Sequence, residues 1–265
     1  MSLTAWIDGV GVLGPGLADW PAARAALCGA RPHEPAATIL PAPSILPAAE
    51  RRRTGRVVKL ALAVALEATA SAAADPRELG SVFCSSGADG ANCHEICVAL
   101  AAADREMSPT RFTNSVHNAA SGYWGIGVGA MRPSQVLCAF DASFAAGLLE
   151  ALVRIAVDGE PLLLVTYDTG YPPPLQAKRP IPDAFGAALV LAATRGEHSI
   201  ARIDAALGPG AESTLADPGL EALRRAIPAA RCLTLLQALA SAQAATAVIE
   251  YLGSTRMLAT VRPCV

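Results

Sequence analysis

Short apolar runs and amphipathic stretches alternate along the chain and predict a series of strands and helices. Residues Thr4–Val12 predict a strand that ends in the glycine-rich turn Gly14–Gly16, and Trp20–Leu27 predicts a helix. The alanine- and leucine-rich stretch Val57–Ala74 is apolar around most of its circumference, which is typical of a helix buried between layers. Segment 31–49 contains five prolines and is predicted to be a surface connection.

The remainder of the chain continues this alternation. Strands are predicted at Ser81–Ser85, Gln135–Phe140, Leu162–Tyr167, Ala187–Ala193, Ile200–Ala205, Leu233–Leu236 and Arg256–Val261, and helices at 90–103, Ala142–Val157, Leu220–Ile227 and Gln237–Leu252. Strands that alternate with helices predict an α/β fold with a largely parallel sheet covered on both faces.

Composition excludes several functional classes. Hydrophobic residues make up 52% of the chain and charged residues 17%, with a net charge of -2, so no basic surface indicates nucleic acid or an anionic membrane. No secretory signal and no apolar run long enough to span a bilayer is visible. Seven cysteines without a framework spacing predict reduced thiols in a cytoplasmic protein.

Two patterns have both a functional and a plain interpretation. Gly9-x-Gly11-x-x-Gly14 matches the dinucleotide fingerprint, but the acidic residue that the fingerprint needs about 20 positions later is missing, so we expect no cofactor. Cys93 and Cys97 lie four residues apart on one helix face. A structural zinc site needs four ligands, so we interpret these cysteines as small buried hydrophobic residues and expect no metal.

Three segments resemble one known family. Gly9–Gly16, Ser108–Gly122 and Pro133–Gly147 are similar, in this order, to the β-ketoacyl synthase (ketosynthase) family of the thiolase fold. In that family the second segment lies at a dimer interface and lines the acyl pocket, and the third leads through a sharp turn to the catalytic cysteine. Asp183–Leu191 resembles the strand that closes the family's first half.

The resemblance implies a thiolase-like layered α/β fold with a complete first half, residues 1–195, and an abbreviated second half, residues 196–265, in one globular unit. The nucleophile position falls on Asp141. The two catalytic histidines and the lysine of the family's second half have no counterpart, because His198 is the last histidine. We therefore expect no intact catalytic set. In the plain interpretation, Asp141 is the N-cap of the helix that begins at Ala142.

The chain resembles the short subunits of aryl polyene synthases and the chain-length factors of polyketide synthases. This likeness implies a non-catalytic subunit that heterodimerises with a full-length ketosynthase, meets acyl carrier protein transiently and limits chain length. Arg51–Arg53 is interpreted as a solvated helix start, with a carrier-protein contact as the alternative. The residues expected at the acyl channel or the interface are Phe112, Asn114, His117, Asn118, Tyr123 and Phe144.

Two other functions remain open at this level. One is a stand-alone acyltransferase or hydrolase that uses Cys84 or Ser86 with His117 as its base. The other is a homodimeric scaffold or acyl-binding module without chemistry.

Overall fold

A computed structural model describes residues 2–264 and contains one eight-stranded sheet in the order β3-β2-β4-β5-β1-β6-β8-β7. The strands are β1 Leu3–Leu13, β2 Gly80–Cys84, β3 Ser134–Leu137, β4 Leu162–Asp168, β5 Phe185–Ala192, β6 Ala201–Gly208, β7 Ala245–Glu250 and β8 Arg256–Pro263. The α-helices are α1 Trp20–Leu27, α2 Ala48–Arg51, α3 Arg56–Ser71, α4 Gly90–Ala101, α5 Pro109–Thr113, α6 Ala119–Val128, α7 Ser143–Asp158, α8 Pro218–Ala226 and α9 Leu233–Ala240. Short 3-10 helices cover Pro76–Glu78, Phe140–Ala142 and Pro228–Cys232.

The α/β fold is confirmed, but the prediction of a largely parallel sheet is wrong. Strand β2 is parallel to β3 and to β4, whereas the other neighbouring pairs are antiparallel. A parallel pair needs a crossover, which α4, α5 and α6 provide between β2 and β3. The connections after β4 and β7 contain no helix, and β4–β5 and β7–β8 are antiparallel neighbours.

Helices cover both faces of the β2-β4-β5-β1 part of the sheet. Helices α3 and α6 pack on one face, together with Leu163 and Val165 of β4, and α7 packs on the other with Leu162 and Leu164. This alternation explains why β4 is apolar at nearly every position. The longest helices have 16 residues, and among residues 2–264 no helix is long and apolar enough to cross a bilayer.

The C-terminal part differs from the prediction in two places. Leu233–Leu236, predicted to be a strand, lies in α9, and the predicted helix Gln237–Leu252 ends at Ala240 before β7 begins at Ala245. The apolar run of α9 has no periodicity that separates a buried helix from a buried strand. In β7, alanines lower the proportion of β-branched residues, and it is a high proportion of such residues that indicates a strand. Strand β6 alternates buried and more exposed positions, so only one of its faces is packed.

The three glycines of the fingerprint-like motif serve packing. A Cβ at Gly9 would overlap the carbonyl oxygen of Ala68, and one at Gly11 would overlap that of Val64, both on α3. At Gly14 a Cβ would overlap the ring of Phe185 on β5. The motif therefore allows α3 and β5 to approach β1 closely.

Gly11→Ala should destabilise the protein by about 1–3 kcal/mol, because overpacking forces β1 and α3 apart. The measurement is the free energy of unfolding from urea denaturation. Gly122→Ala is the matched control: Gly122 lies in α6 with nothing within 4 Å of an added Cβ, so its replacement should be neutral or stabilise by up to about 1 kcal/mol. Equal effects of both substitutions would contradict this account.

Candidate functional site

The turn between β3 and α7 is sharp and strained. Phe140 has φ 55°, a left-handed conformation that is costly for a bulky residue. The hydroxyl of Ser143 holds the turn, since it accepts from the backbone N of Ala139 at 3.0 Å and donates to the carbonyl oxygen of Phe140 at 2.7 Å. The left-handed residue of the turn is therefore Phe140. The next residue, Asp141, is the one predicted to stand at the nucleophile position, and neither residue carries a thiol.

Asp141 is not the N-cap of the following helix, so the plain interpretation of this residue is wrong. Ala142 occupies the N-cap of α7 and makes no side-chain hydrogen bond to it. The Asp141 carboxylate is instead paired with Nη2 of Arg179 at 2.6 Å and with Nη2 of Arg231 at 3.6 Å. Arg231 also pairs with Glu250 of β7 at 3.3 Å, so half-buried charges connect the turn to the C-terminal strands.

Arg179 also covers the apex of the turn. Its guanidinium lies 3.8 Å from the centroid of the Phe140 ring, a cation–π contact. Arg179 belongs to the proline-rich loop 172–182 between β4 and β5. At the base of this loop, Tyr171 packs against Gly87 and Gly90. The loop therefore lies over the carboxyl ends of the parallel strands, where α/β sheets commonly bind ligands.

Beneath the loop lies a buried carboxylate. One oxygen of Asp168 accepts from the Ser86 hydroxyl at 2.7 Å and the Ser86 backbone N at 3.0 Å, and the other accepts from the backbone N of Ala229 at 2.8 Å. Burial raises the pKa of Asp168 from 3.8 to about 6, and these hydrogen bonds only partly offset it. Asp168 thus joins the ends of β2 and β4 to the 3-10 helix before α9.

The arrangement that a stand-alone acyltransferase would need is not formed. Cys84 is fully buried, its thiol donates to the carbonyl oxygen of Val165, and burial raises its pKa to about 12. A thiolate nucleophile is therefore disfavoured at this position. The hydroxyl of Ser86 donates its hydrogen bond to the carboxylate of Asp168. Burial lowers the pKa of His117, which has a backbone hydrogen bond with Ser85 and an unpartnered Nε2.

The residues expected at the acyl channel or interface fall into two groups. Tyr123 of α6 is buried and donates its hydroxyl to the Asn114 side chain at 3.1 Å, and Asn114 in turn donates to the carbonyl oxygen of Arg53 at 2.8 Å. Phe112 on α5 is 64% exposed. His117 and the exposed Asn118 belong to the same surface turn between α5 and α6.

Phe144 is separate from these residues. It lies on α7 and is buried in the cluster on the opposite face of the sheet from Tyr123. The structure therefore does not bring Phe112, Tyr123 and Phe144 to one cavity within the single chain.

Arginines gather at the start of α3. A cavity of about 470 Å³ is lined by Arg52, Arg53, Arg56 and Arg111, together with the acidic Asp89. Arg53 pairs with Glu50, Arg56 with Asp183, and Arg111 with Glu95. The side chains of Arg53 and Arg56 remain more than half exposed, so this cavity presents positive charge to solvent.

Cys93 and Cys97 are exposed, so the prediction that they are buried is wrong. Helix α4 packs on the protein through its first turn, where Gly90 and Asn92 are buried, and the rest of the helix lies on the surface. An apolar helix of alanine, valine, leucine and cysteine is normally interpreted as buried, so its sequence gave no signal of this exposure. Within residues 2–264 no group of three or more His, Cys, Asp or Glu side chains is placed to hold a metal ion.

A family model described as the N-terminal domain of beta-ketoacyl synthases matches residues 20–248, most of the chain. The chain belongs to the beta-ketoacyl synthase family. The match confirms the resemblance to this family, and it covers two of the three segments, Ser108–Gly122 and Pro133–Gly147. At the turn between β3 and α7 described above, this chain carries Phe140 and Asp141.

Solved structures show the same fold. A chain of the complex between the ketosynthase ApeO and its chain length factor ApeC from Xenorhabdus doucetiae is 22% identical, with a TM-score of 0.73, over 97% of this chain and 99% of that one. The ishigamide ketosynthase/chain length factor gives 13% identity and a TM-score of 0.74, over 99% and 100%. The AntDE–AntF complex, a type II acyl-carrier protein with its hexaketide-bound ketosynthase, gives 12% and 0.77, over 100% of both chains. No curated protein matches the chain.

Three residues of the ketosynthase-like site escaped sequence reasoning. Asp168 ends an apolar strand, and an acidic residue at the carboxyl end of a buried strand was a usable signal. Arg179 and Arg231 lie 38 and 90 positions from the Asp141 that they contact, and no local pattern reports such pairs.

Asp168 should make stability fall as pH rises from about 4 to above 6. Its folded pKa is raised, so its contribution is fully present below the unfolded pKa of 3.8 and is lost as pH rises through about 6. The loss amounts to about 3 kcal/mol at most. Urea denaturation at pH 4.5–7 should show this slope in wild type and not in Asp168→Asn, whatever the variant's absolute stability. Parallel pH profiles would refute the role of Asp168.

Proposed function

We propose that this chain is a non-catalytic, chain-length-factor-like subunit that pairs with a cysteine-bearing ketosynthase. The observation that carries the proposal is the edge strand β3, whose outer side pairs with no other strand among residues 2–264. This strand lies beside an exposed apolar segment and leads directly into a strained turn that carries no thiol. Such an edge with adjacent apolar surface is a typical partner site.

Strand β3 has one free hydrogen-bonding side. The carbonyl oxygens of Pro133 and Leu137 accept from the backbone N of Ser81 and Ser85, so the odd-numbered positions face β2. Because hydrogen-bonding directions alternate along a strand, the N–H and C=O groups of Ser134 and Val136 point away from the sheet. A partner strand that pairs there would extend the sheet across the interface.

The chain segment that leads to β3 is unusually apolar for a surface. Phe112, Val116, Ile126 and Met131 are 64%, 49%, 58% and 95% exposed, respectively. These side chains span α5, the following turn, α6 and the connection to β3. Burying one large apolar side chain stabilises an interface by about 1.5–3 kcal/mol, so this segment offers a substantial driving force for association.

The turn beyond β3 supports a silent role in condensation. A condensing cysteine needs a free thiolate at the start of its helix. Here the apex carries a phenyl ring that is stacked by Arg179, and the next residue is an aspartate paired with two arginines. An acyl group on a carboxylate would be an anhydride open to hydrolysis, so the partner would supply the reactive thiol.

An acyl carrier protein is the proposed transient partner. Carrier proteins are acidic, and the arginine-lined cavity at the start of α3 offers complementary charge, which raises encounter rates more than affinity. The structures similar to this chain include complexes of ketosynthases with chain length factors and one of a ketosynthase with an acyl-carrier protein. These complexes motivate the assembly that we propose for this chain.

Co-expression of this chain with a cysteine-bearing ketosynthase of the same host should yield a one-to-one complex by size-exclusion chromatography and light scattering. Val136→Pro should abolish the complex, because it removes the outward N–H of β3 and leaves the bonds to β2 intact. Val136→Thr keeps the donor and the β-branched shape and should retain the complex.

Both variants should first be shown to unfold cooperatively, so that loss of the complex reports on the interface. A Val136→Pro chain that folds and still pairs with the ketosynthase would refute pairing through β3. A wild-type chain that purifies as a homodimer and binds none of the ketosynthases tested would favour the scaffold function.

Phe112→Ala should lengthen the products of the reconstituted complex, because the exposed ring is the largest side chain of the proposed interface segment available to narrow a shared channel. Product length is measured by mass spectrometry with purified carrier protein. Val157→Ala, which trims another exposed apolar side chain on α7, should leave product length unchanged. Unchanged length in Phe112→Ala would remove this residue from the channel.

A further inference from the structure

Two exposed thiols on α4 form a pair that the proposed function does not use. Cys93 and Cys97 are one helical turn apart and face the same side of the helix. Both side chains lie on the part of α4 that projects from the protein, beyond its buried first turn. Both thiols are free and accessible in the described structure.

The helical spacing favours a bridged ion over a disulfide. Side chains four residues apart on a helix have Cβ atoms about 5–6 Å apart. A disulfide needs Cβ atoms about 3.5–4.5 Å apart, so closing one would distort α4. Two metal–sulfur bonds of about 2.3 Å each set the sulfurs about 4.6 Å apart across a linear ion. The helical spacing is therefore compatible with one cation shared by the two sulfurs.

The number of ligands selects the cation. Within residues 2–264 no third His, Cys, Asp or Glu joins these two side chains in a metal-binding group. Zn²⁺ in structural sites takes four ligands, so it is poorly served here. Soft thiolates select Cu(I), for which two sulfur ligands are a sufficient coordination shell.

We propose that Cys93 and Cys97 form a two-thiolate site for a soft monovalent cation, Cu(I), on the exposed face of α4. Binding converts two thiols and one Cu(I) into a dithiolate complex of net charge -1 and releases two protons. No electron is transferred, so no oxidant or reductant takes part. The test uses this chain alone, so its outcome is distinguishable from that of the proposed pairing with a ketosynthase.

Titration of the reduced, full-length chain with Cu(I) under anaerobic conditions tests the site, with bicinchoninate as the competing chromophoric ligand. The wild type should take one Cu(I) per chain from the competitor, more tightly at higher pH because two protons leave. Loss of an outer partner of a metal ligand costs about 10- to 100-fold in affinity, so loss of a ligand in Cys93→Ser or Cys97→Ser should cost more than about 100-fold.

Cys28→Ser and Cys138→Ser are the matched controls, because each removes an exposed thiol elsewhere and should leave the stoichiometry at one. Bound Cu(I) should also protect Cys93 and Cys97, but not Cys28, from iodoacetamide, as read by peptide mass spectrometry. Excess Zn²⁺ should fail to displace it. Undiminished binding by Cys93→Ser, or equal competition by Zn²⁺, would overturn the site.

Discussion

The close approach of α3 to β1 is the contact on which the rest of the fold depends. Gly9 and Gly11 remove the side chains that would separate the strand from the helix backbone. Glu67 of α3 strengthens the contact, because its carboxylate accepts from the backbone N of Val12 at 2.8 Å and of Trp20 at 2.6 Å. One carboxylate thereby ties the helix to the end of β1 and to the start of α1.

Once β1 is fixed in this way, it organises both parts of the chain. Its eleven residues pair with β5 along their C-terminal portion and with β6 along their N-terminal portion. The N-terminal strands and the C-terminal strands are therefore joined in one sheet through the central strand β1. Asp168 and Arg231 make further links, because both connect the carboxyl-end loops to the elements around α9 and β7. The short C-terminal part is in this way supported by the longer N-terminal part.

The sequence predicted most of the elements that satisfy their own local periodicity, such as α1, α3, β4 and α7. It failed where the deciding contact is distant. Leu233–Leu236 is helical, although its short apolar run fits a helix and a strand equally well, because tertiary contacts decide between the two. The same holds for the candidate site. The segment similar to ketosynthases was enough to predict where the turn lies. The contacts of Phe140 and Asp141 with Arg179, however, involve a loop that begins some thirty residues later. Backbone strain and remote ion pairs leave no local pattern to interpret.

The turn after β3 is held in a strained geometry by several contacts at once. The strain at Phe140 persists because the Ser143 hydroxyl, the Arg179 stack and the ion pairs of Asp141 all constrain it together. A free nucleophile needs room for substrate, whereas these contacts fill that room with intrachain partners. The turn is therefore stabilised by a charge network within the chain. Strand β3, which leads into this turn, still has backbone groups on its outer side that can pair with another chain. The side chains of the turn itself are engaged by contacts within the chain.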